Sequence, residues 1–466
     1  MQIDPTIRAS DLSKPLSRLF ELALPKVARL DRSWDDNRGS PVTTVGGKYT
    51  TRGWTEWTRG FLYGCAILAF EATGERELQQ IAFHRTFVHM PEHVTHTGVH
   101  DHGFNNLSTF GNLRRLMREG KIPHNDMESA YYELAIKCSG AVQAARWAGV
   151  RLDKPSPASA NAPQLGYVYS FNGPHSLFVD TMRTTRILGL AWQLGHRLMH
   201  ENDRAADLLK RSVLHGLATN QYLLFHGDSP HAYDVRGRTA HEAVFNRNDG
   251  AFRCRATQQG YSPFSTWTRG LAWAMLGFAE ELEFFATIPD SKFAESVGLP
   301  KADVMRVYER AAVETCDHYV DDCSTADGIV YWDDGAPNLH KLGDWRSRAA
   351  EPFNDHEPVD ASASVIAAQG LLRLGRHLKE HRYTQAGLTV ARTLLGEPYL
   401  ATDPEHQGLL LHTVYHRPNG WDLVPRGRKV PCGESCMWGD YHLLELGVYL
   451  QRLIDGGPYL TFFDSP

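Results

Sequence analysis

"STWTRGLAWAMLGFAEELEFF", Ser265 to Phe285, decides the fold. From Trp267 onward, apolar and small residues fall on nearly every face of a 3.6-residue period. A helix apolar almost all round is buried, and glycines and alanines such as Gly270, Ala272, Ala274 and Gly277 let neighbouring helices approach closely. The same construction, a polar start followed by small and apolar residues, returns four times. It is seen in "EWTRGFLYGCAILAFEATG" (Glu56–Gly74), "HSLFVDTMRTTRILGLAWQLG" (His175–Gly195), "VDASASVIAAQGLLRLG" (Val359–Gly375) and "ESCMWGDYHLLELGVYLQRL" (Glu434–Leu453). Segments with one apolar face lie between them. "DRAADLLKRSVLHGLATNQYLL" (Asp203–Leu224), "MRVYERAAVETCDHYVDD" (Met305–Asp322) and "YTQAGLTVARTLLGE" (Tyr383–Glu397) are of this kind. Buried helices alternating with amphipathic ones predict an inner ring wrapped by an outer ring: an all-α double-ring barrel. Strand-like alternation is short, as in "GIVYWD" (Gly328–Asp333), so β pieces are expected only at the mouth.

No low-complexity linker divides the 466 residues, and one domain over 1–466 is expected. "KPSPASANAP" (Lys154–Pro163) reads as a surface loop, because helical patterns resume on both sides. The net charge of -5 and the absence of a Lys/Arg run argue against nucleic-acid binding. No window has the apolar length of a membrane span, and "MQIDPTIRASDLSKPLSRLF" lacks a signal-peptide core. Seven scattered cysteines, an odd number, suit reduced thiols in a cytoplasmic protein better than a disulfide framework. Cys432 and Cys436 supply too few ligands for a structural zinc site. The oligomeric state is open at this level.

In a double-ring barrel, function sits where polar residues from distant segments meet at one mouth. The candidates are Arg59, Asp101, Asp180, Arg269, Asp360 and Asp440. Carboxylates in a partly apolar cavity suit acid/base work, because burial raises one pKa while a neighbour stays ionised. Asp180 follows three apolar residues and is expected to be desolvated; the competing reading is a helix N-cap. Arg269 lies between Trp267 and Trp273, placed to clamp a carboxylate or, alternatively, to form a buried salt bridge with a mouth aspartate. "GVHDHGFNN" (Gly98–Asn106) follows His93 and His96. A metal there would need three or four of His93, His96, His100, Asp101 and His102 on one ion, and Thr95, Gly98 and Val99 disfavour the helix that would align them. No metal or cofactor is expected at this stretch. Histidines orienting a carboxylate are favoured instead.

Six blocks in order resemble the unsaturated glucuronyl and rhamnogalacturonyl hydrolases, glycoside hydrolase families 88 and 105. They are "WTRGFLYGCAILAFEATGE" from Trp57, "HDHGFNN" from His100, "SLFVDTMRTTRIL" from Ser176, "QQGYSPFSTWTRGLAWAMLGF" from Gln258, "VDASASVIAAQGLL" from Val359 and "WGDYHLLE" from Trp438. The resemblance implies an (α/α)6 barrel of the six-hairpin glycosidase kind. It implies an enzyme that releases a 4,5-unsaturated uronic acid from the non-reducing end of lyase-generated oligosaccharides by hydrating the double bond. On the matching positions, Asp180 resembles the acid/base and Asp101 the supporting aspartate. Gln259, Arg269 and Trp273 fall on positions resembling substrate-binding residues, with Arg269 as partner for the uronate carboxylate. His231, in "SPHAYDV" (Ser229–Val235), is taken as a binding histidine, with "GRTAHEAVFNRNDG" (Gly237–Gly250) as an insertion after it.

The sequence departs from the family pattern in several places. Phe171 stands where a tryptophan is expected before the acid/base block, Leu271 where glutamine is usual, Arg183 inside the acid/base helix, and His102 where an apolar residue is common. Phe171 and His102 are therefore expected to contact or tune the substrate. The departures leave room for a β-glucuronidase of saturated uronides with Asp101 and Asp180 as paired carboxylates. A sugar isomerase or epimerase using His100, His102 and His231 is a third reading, and a non-catalytic carbohydrate-binding protein a fourth.

Overall fold

The structure, a computed structural model, describes residues 1–151 and 163–464. Six helical segments form the inner ring. They are Arg59–Thr73; the run 102–118; the run 181–193; Thr268–Ala286; Ala361–Leu378; and Met437–Asp455. Each packs on the next, and Met437–Asp455 closes back onto Arg59–Thr73. Ser13–Ser33, Arg76–His89, Asp126–Ala145, Leu208–Tyr222, Lys301–His318 and His381–Leu394 form the outer ring. This is the (α/α)6 barrel. All-round apolar composition did mark the inner helices: every residue from Thr268 to Leu282 is buried. The outer helices bury one face, as Lys301–His318 does through Val304, Tyr308, Ala311, Ala312 and Thr315.

Close approach between inner helices depends on glycine at particular places. A Cβ on Gly103 would stand 2.1 Å from the Thr184 carbonyl oxygen, and one on Gly60 2.3 Å from that of Asn105. Both obstacles are backbone, so neither position accepts a side chain without moving a helix.

The segment His175–Gly195 is not one helix. Ser176–Phe178 is a strand, and helix begins only at Thr181–Thr184 and continues in Arg186–Gln193. The strand pairs antiparallel with Glu242–Phe245, which in turn pairs with Phe252–Ala256. The presumed insertion is thus the middle strand of a three-stranded sheet. An antiparallel hairpin, Ser40–Val45 with Lys48–Arg52, lies at the start of the chain. "GIVYWD" makes isolated bridges, Ser324 to Val330 and Tyr331 to Val359. The loop expected at Lys154–Pro163 lies, apart from Pro163, outside the described residues. Among those residues no helix is long and apolar enough to cross a membrane.

Under the start of the 181–193 run the barrel axis is ionic. Arg183 pairs with Glu280 at 2.9 Å and Glu445 at 3.2 Å, Arg186 with Glu280 at 3.3 Å, and Arg373 with Glu283 at 2.8 Å, all nearly solvent-free. This explains Arg183: it joins three inner helices and takes no part in the cavity above.

Candidate active site

One cavity of about 950 Å³ opens at the mouth of the inner ring. Its walls include Asp101, Asp180, His100, Phe104, Phe171, Gln259, Trp267, Arg269 and Trp273. The hairpin contributes Arg52, and the loop before the last inner helix contributes Tyr415, His416, Asn419 and Trp421. Aromatic faces beside carboxylates suit a sugar ring, whose C–H face stacks while its hydroxyls and charge find polar partners.

The two aspartates arrive by different routes. Asp101 stands just before the short helix His102–Asn106, whose Phe104 packs on Trp273 at 4.7 Å between ring centroids. Gly103 belongs to that helix and marks its contact with Thr184. Asp180 leaves the end of the strand and occupies the N-cap position of Thr181–Thr184, but its side chain does not cap the helix. It accepts a hydrogen bond from His100 Nε2 at 3.3 Å, and the same nitrogen lies 3.6 Å from Asp101 Oδ1. One imidazole therefore sits between both carboxylates.

Their electrostatics differ. Burial raises the Asp101 carboxyl, and the negative Asp180 raises it further against the opposing pull of His100 and Arg146. Burial acts the same way on Asp180, but the His100 hydrogen bond and the positive fields of His100 and Arg269 outweigh it and hold Asp180 below the usual range. Burial disfavours a charged His100, yet Asp101 and Asp180 overcome it and raise the ring. The two carboxyls are thus pushed apart, Asp101 toward holding a proton and Asp180 toward the charged form.

Of the eight singled-out residues, six line the cavity: Asp101, Asp180, Gln259, Arg269, Trp273 and Phe171. Phe171 lies parallel to His100, with rings 6.4 Å apart and 11° between planes. Two do not. His231 is exposed on a surface loop, stacked on Tyr233 at 5.1 Å. The histidine beside the acid is His241, just before strand Glu242–Phe245 in the segment taken for an insertion; its carbonyl accepts the Val179 N–H. It is buried, accepts from the Gln258 N–H at Nδ1, and packs on Phe178 and Trp267. His102 is also placed elsewhere: its Nδ1 meets Ser139 Oγ at 2.7 Å and its Nε2 the His96 carbonyl at 3.0 Å, inside the wall. Hydrogen-bond demand turned the ring toward Ser139 and away from substrate space.

Arg269 lines the cavity but its guanidinium ends are committed. Nη1 donates to Asp360 Oδ2 at 2.8 Å and to the Val414 carbonyl; Nη2 donates to Gln259 Oε1 at 2.8 Å and to the Tyr415 carbonyl at 2.7 Å. The salt-bridge alternative describes it, and Arg269 aims Gln259. Arg52 is the contrasting case. Its guanidinium lies 3.8 Å from the Trp421 ring centroid and makes no hydrogen bond or ion pair among the described residues. Stacking uses the face of a guanidinium and leaves its edge N–H groups free. The remaining mouth candidates are structural. Arg59 pairs with Glu92 at 2.8 Å, Asp360 holds Arg269, and Asp440 accepts from the Leu409 and Leu410 N–H groups and from Ser435 and Tyr49. The histidines of "GVHDHGFNN" diverge, His100 to the aspartates and His102 to Ser139, and do not converge on a point.

No protein-family model matches the chain. It is 25% identical over 425 residues to an unsaturated glucuronyl hydrolase of Bacillus sp. strain GL1, covering 89% of this chain and 91% of that protein. It is 23% identical over 458 residues to an unsaturated chondroitin disaccharide hydrolase of Streptococcus pyogenes serotype M1, covering 95% and 92%. The crystal structure of the Bacillus glucuronyl hydrolase superposes with a TM-score of 0.66 at 22% identity, over 95% of this chain and 97% of that one. In sequence over most of its length, and in fold over nearly all of it, this chain is similar to unsaturated glucuronyl hydrolases.

Proposed function

We infer that the cavity binds the non-reducing end of a lyase-generated oligosaccharide and hydrates the C4=C5 bond of its unsaturated uronic acid. The observation that carries this reading is the Asp101–His100–Asp180 arrangement at the bottom of an aromatic cavity. The chemistry needs one carboxyl group that acts first as acid and then as base. Asp180 donates a proton to C4 of the vinyl ether; water then adds at C5 and gives its proton back to the Asp180 carboxylate. The hemiketal so formed opens, and the next sugar leaves.

Asp180 is ionised before substrate arrives, so it must gain a proton on binding. The uronate carboxylate supplies the drive: a second negative charge in a dry site raises the pKa of a neighbouring acid. His100, within reach of both aspartates, is positioned to pass a proton to Asp180. Arg52 provides free N–H donors for the substrate's carboxylate, in the role first expected of Arg269. Gln259, fixed by Arg269, positions the ring, and Trp273, Phe171 and Trp421 provide stacking faces; His241 packs behind them on Phe178 and Trp267.

Conjugation of the double bond with the carboxylate absorbs in the ultraviolet. Wild-type protein given lyase-generated disaccharides is expected to abolish that absorbance, and Asp180→Asn to leave it intact while still binding. Hydrolysis of a nitrophenyl β-glucuronide, with no loss of absorbance on any unsaturated disaccharide, would overturn the reading in favour of a saturated-uronide glycosidase.

A further inference from the structure

We propose that His318, Cys323 and Asp334 form a binding site for a structural divalent metal ion of the zinc class, apart from the sugar cavity. His318 ends the outer helix Lys301–His318, and the wide turn Tyr319–Cys323 that follows swings Cys323 back beside it. Asp334 comes from the next loop. Nε2, Sγ and a carboxylate oxygen of the three lie within 4.8 Å of one another. Two of the separations are 3.3 Å, His318 Nε2 to Asp334 Oδ2, and 3.8 Å, Cys323 Sγ to the same oxygen. Zinc bonds of about 2.0–2.3 Å give tetrahedral edges of about 3.3–3.7 Å, so two of the three separations stand close to those of such a site and the third lies within 4.8 Å.

The surroundings fit the same reading. His318 and Cys323 are buried. His318 Nδ1 lies 3.2 Å from Asp322 Oδ2, the carboxylate–histidine pairing that fixes a ligating imidazole with its other nitrogen toward the ion. Asp334 Oδ1 accepts the Thr266 N–H at 2.6 Å, which holds the carboxylate and leaves Oδ2 for the ion. Thr266 Oγ1, 3.2 Å from Nε2, or a water completes four-coordination. Arg238 stands 3.6 Å from Asp334 Oδ2 and makes no hydrogen bond to it, so it balances charge without filling the position. Ligation needs a neutral imidazole and a thiolate, so ion and protons compete for His318 and Cys323 and affinity rises with pH.

The ion would steady the sugar cavity from behind. Asp333 accepts the Tyr261 N–H at 2.8 Å and Asp334 that of Thr266, so the two anchor the loop that runs between Gln259 and Trp267.

The test uses the full chain, with metal content measured after purification and Co²⁺ titrated into chelator-treated protein. One ion per chain, a near-ultraviolet thiolate-to-cobalt band and a raised Tm are expected in the wild type. Cys323→Ser should lose the band and Asp334→Asn the Tm increase. Should both variants fail to fold, the wild-type stoichiometry, band and Tm shift decide alone. Absence of uptake and band in the wild type, or a band that survives Cys323→Ser, overturns the proposal and leaves a hydrogen-bonded imidazolium. None of these readouts depends on sugar chemistry.

Discussion

His100 donates to Asp180 across 3.3 Å, and this bond sets the charge of the carboxylate proposed to do the chemistry. A hydrogen bond to a charged group contributes about 1.5–3 kcal/mol, which corresponds to roughly one to two pKa units. Replacing His100 by glutamine removes the positive charge, so the Asp180 carboxyl rises. An acid that must be protonated loses activity as pH climbs through its pKa; a higher pKa moves that loss to higher pH. The alkaline limb of kcat/KM in His100→Gln is expected about one unit above wild type. A limb that stays put or moves acidward contradicts the assigned role.

The two cavity arginines should separate in a simple comparison. Arg269→Ala strands the buried Asp360 carboxylate, and breaking such a pair costs about 3–5 kcal/mol. Its Tm falls and expression suffers. Arg52→Gln leaves every described hydrogen bond of the side chain intact, since it makes none. It is expected to keep the wild-type Tm, raise KM about tenfold (~1.4 kcal/mol) and change kcat little.

His241 and His231 make a second pair. His241→Ala removes a buried ring that packs on Phe178 and Trp267 and accepts the Gln258 N–H beside the cavity. A fall in kcat/KM of about a hundredfold is expected, in the range of lost positioning groups. His231→Ala, on the exposed loop, should match wild type within error. Equal losses in both would contradict this placement.

Stability should also depend on a carboxyl far from the cavity. Asp31 is fully buried, neither of its oxygens has a hydrogen-bond partner, and burial pushes its pKa up to about 8 despite Arg85. The unfolded chain gives up that proton near pH 4, the folded protein near pH 8. Between those values the folded state binds more protons, so its stability falls as pH rises. Differential scanning from pH 5 to 8 should show a steeper drop in Tm for wild type than for Asp31→Asn.

Much of the barrel was legible because burial of an inner helix is a local property: from Gly270 to Ala279 every residue is apolar or small, whatever it touches. Strand Ser176–Phe178 was not, since three apolar residues before a helix fit either state and pairing with Glu242–Phe245, far along the chain, decides it. That misreading hid His241. His102 failed for a related reason: a histidine beside an aspartate shares its chain position, but Ser139 on another helix sets where the ring points. Arg269 offered two readings, and only the Asp360 distance separates them. Arg52 carried no signal, because its importance lies in what it does not bind. Positions 318, 323 and 334 follow no ligand spacing, and the turn that unites them is visible only in three dimensions.

Arg183, Glu280 and Glu445 tie three inner helices together by buried ion pairs outside the lining of the cavity that holds Asp180. A desolvated plug of that kind leaves no passage for a sugar chain between those helices. On the proposed function, a polysaccharide would enter by its end alone, and cleavage would be confined to chain termini, one residue at each visit.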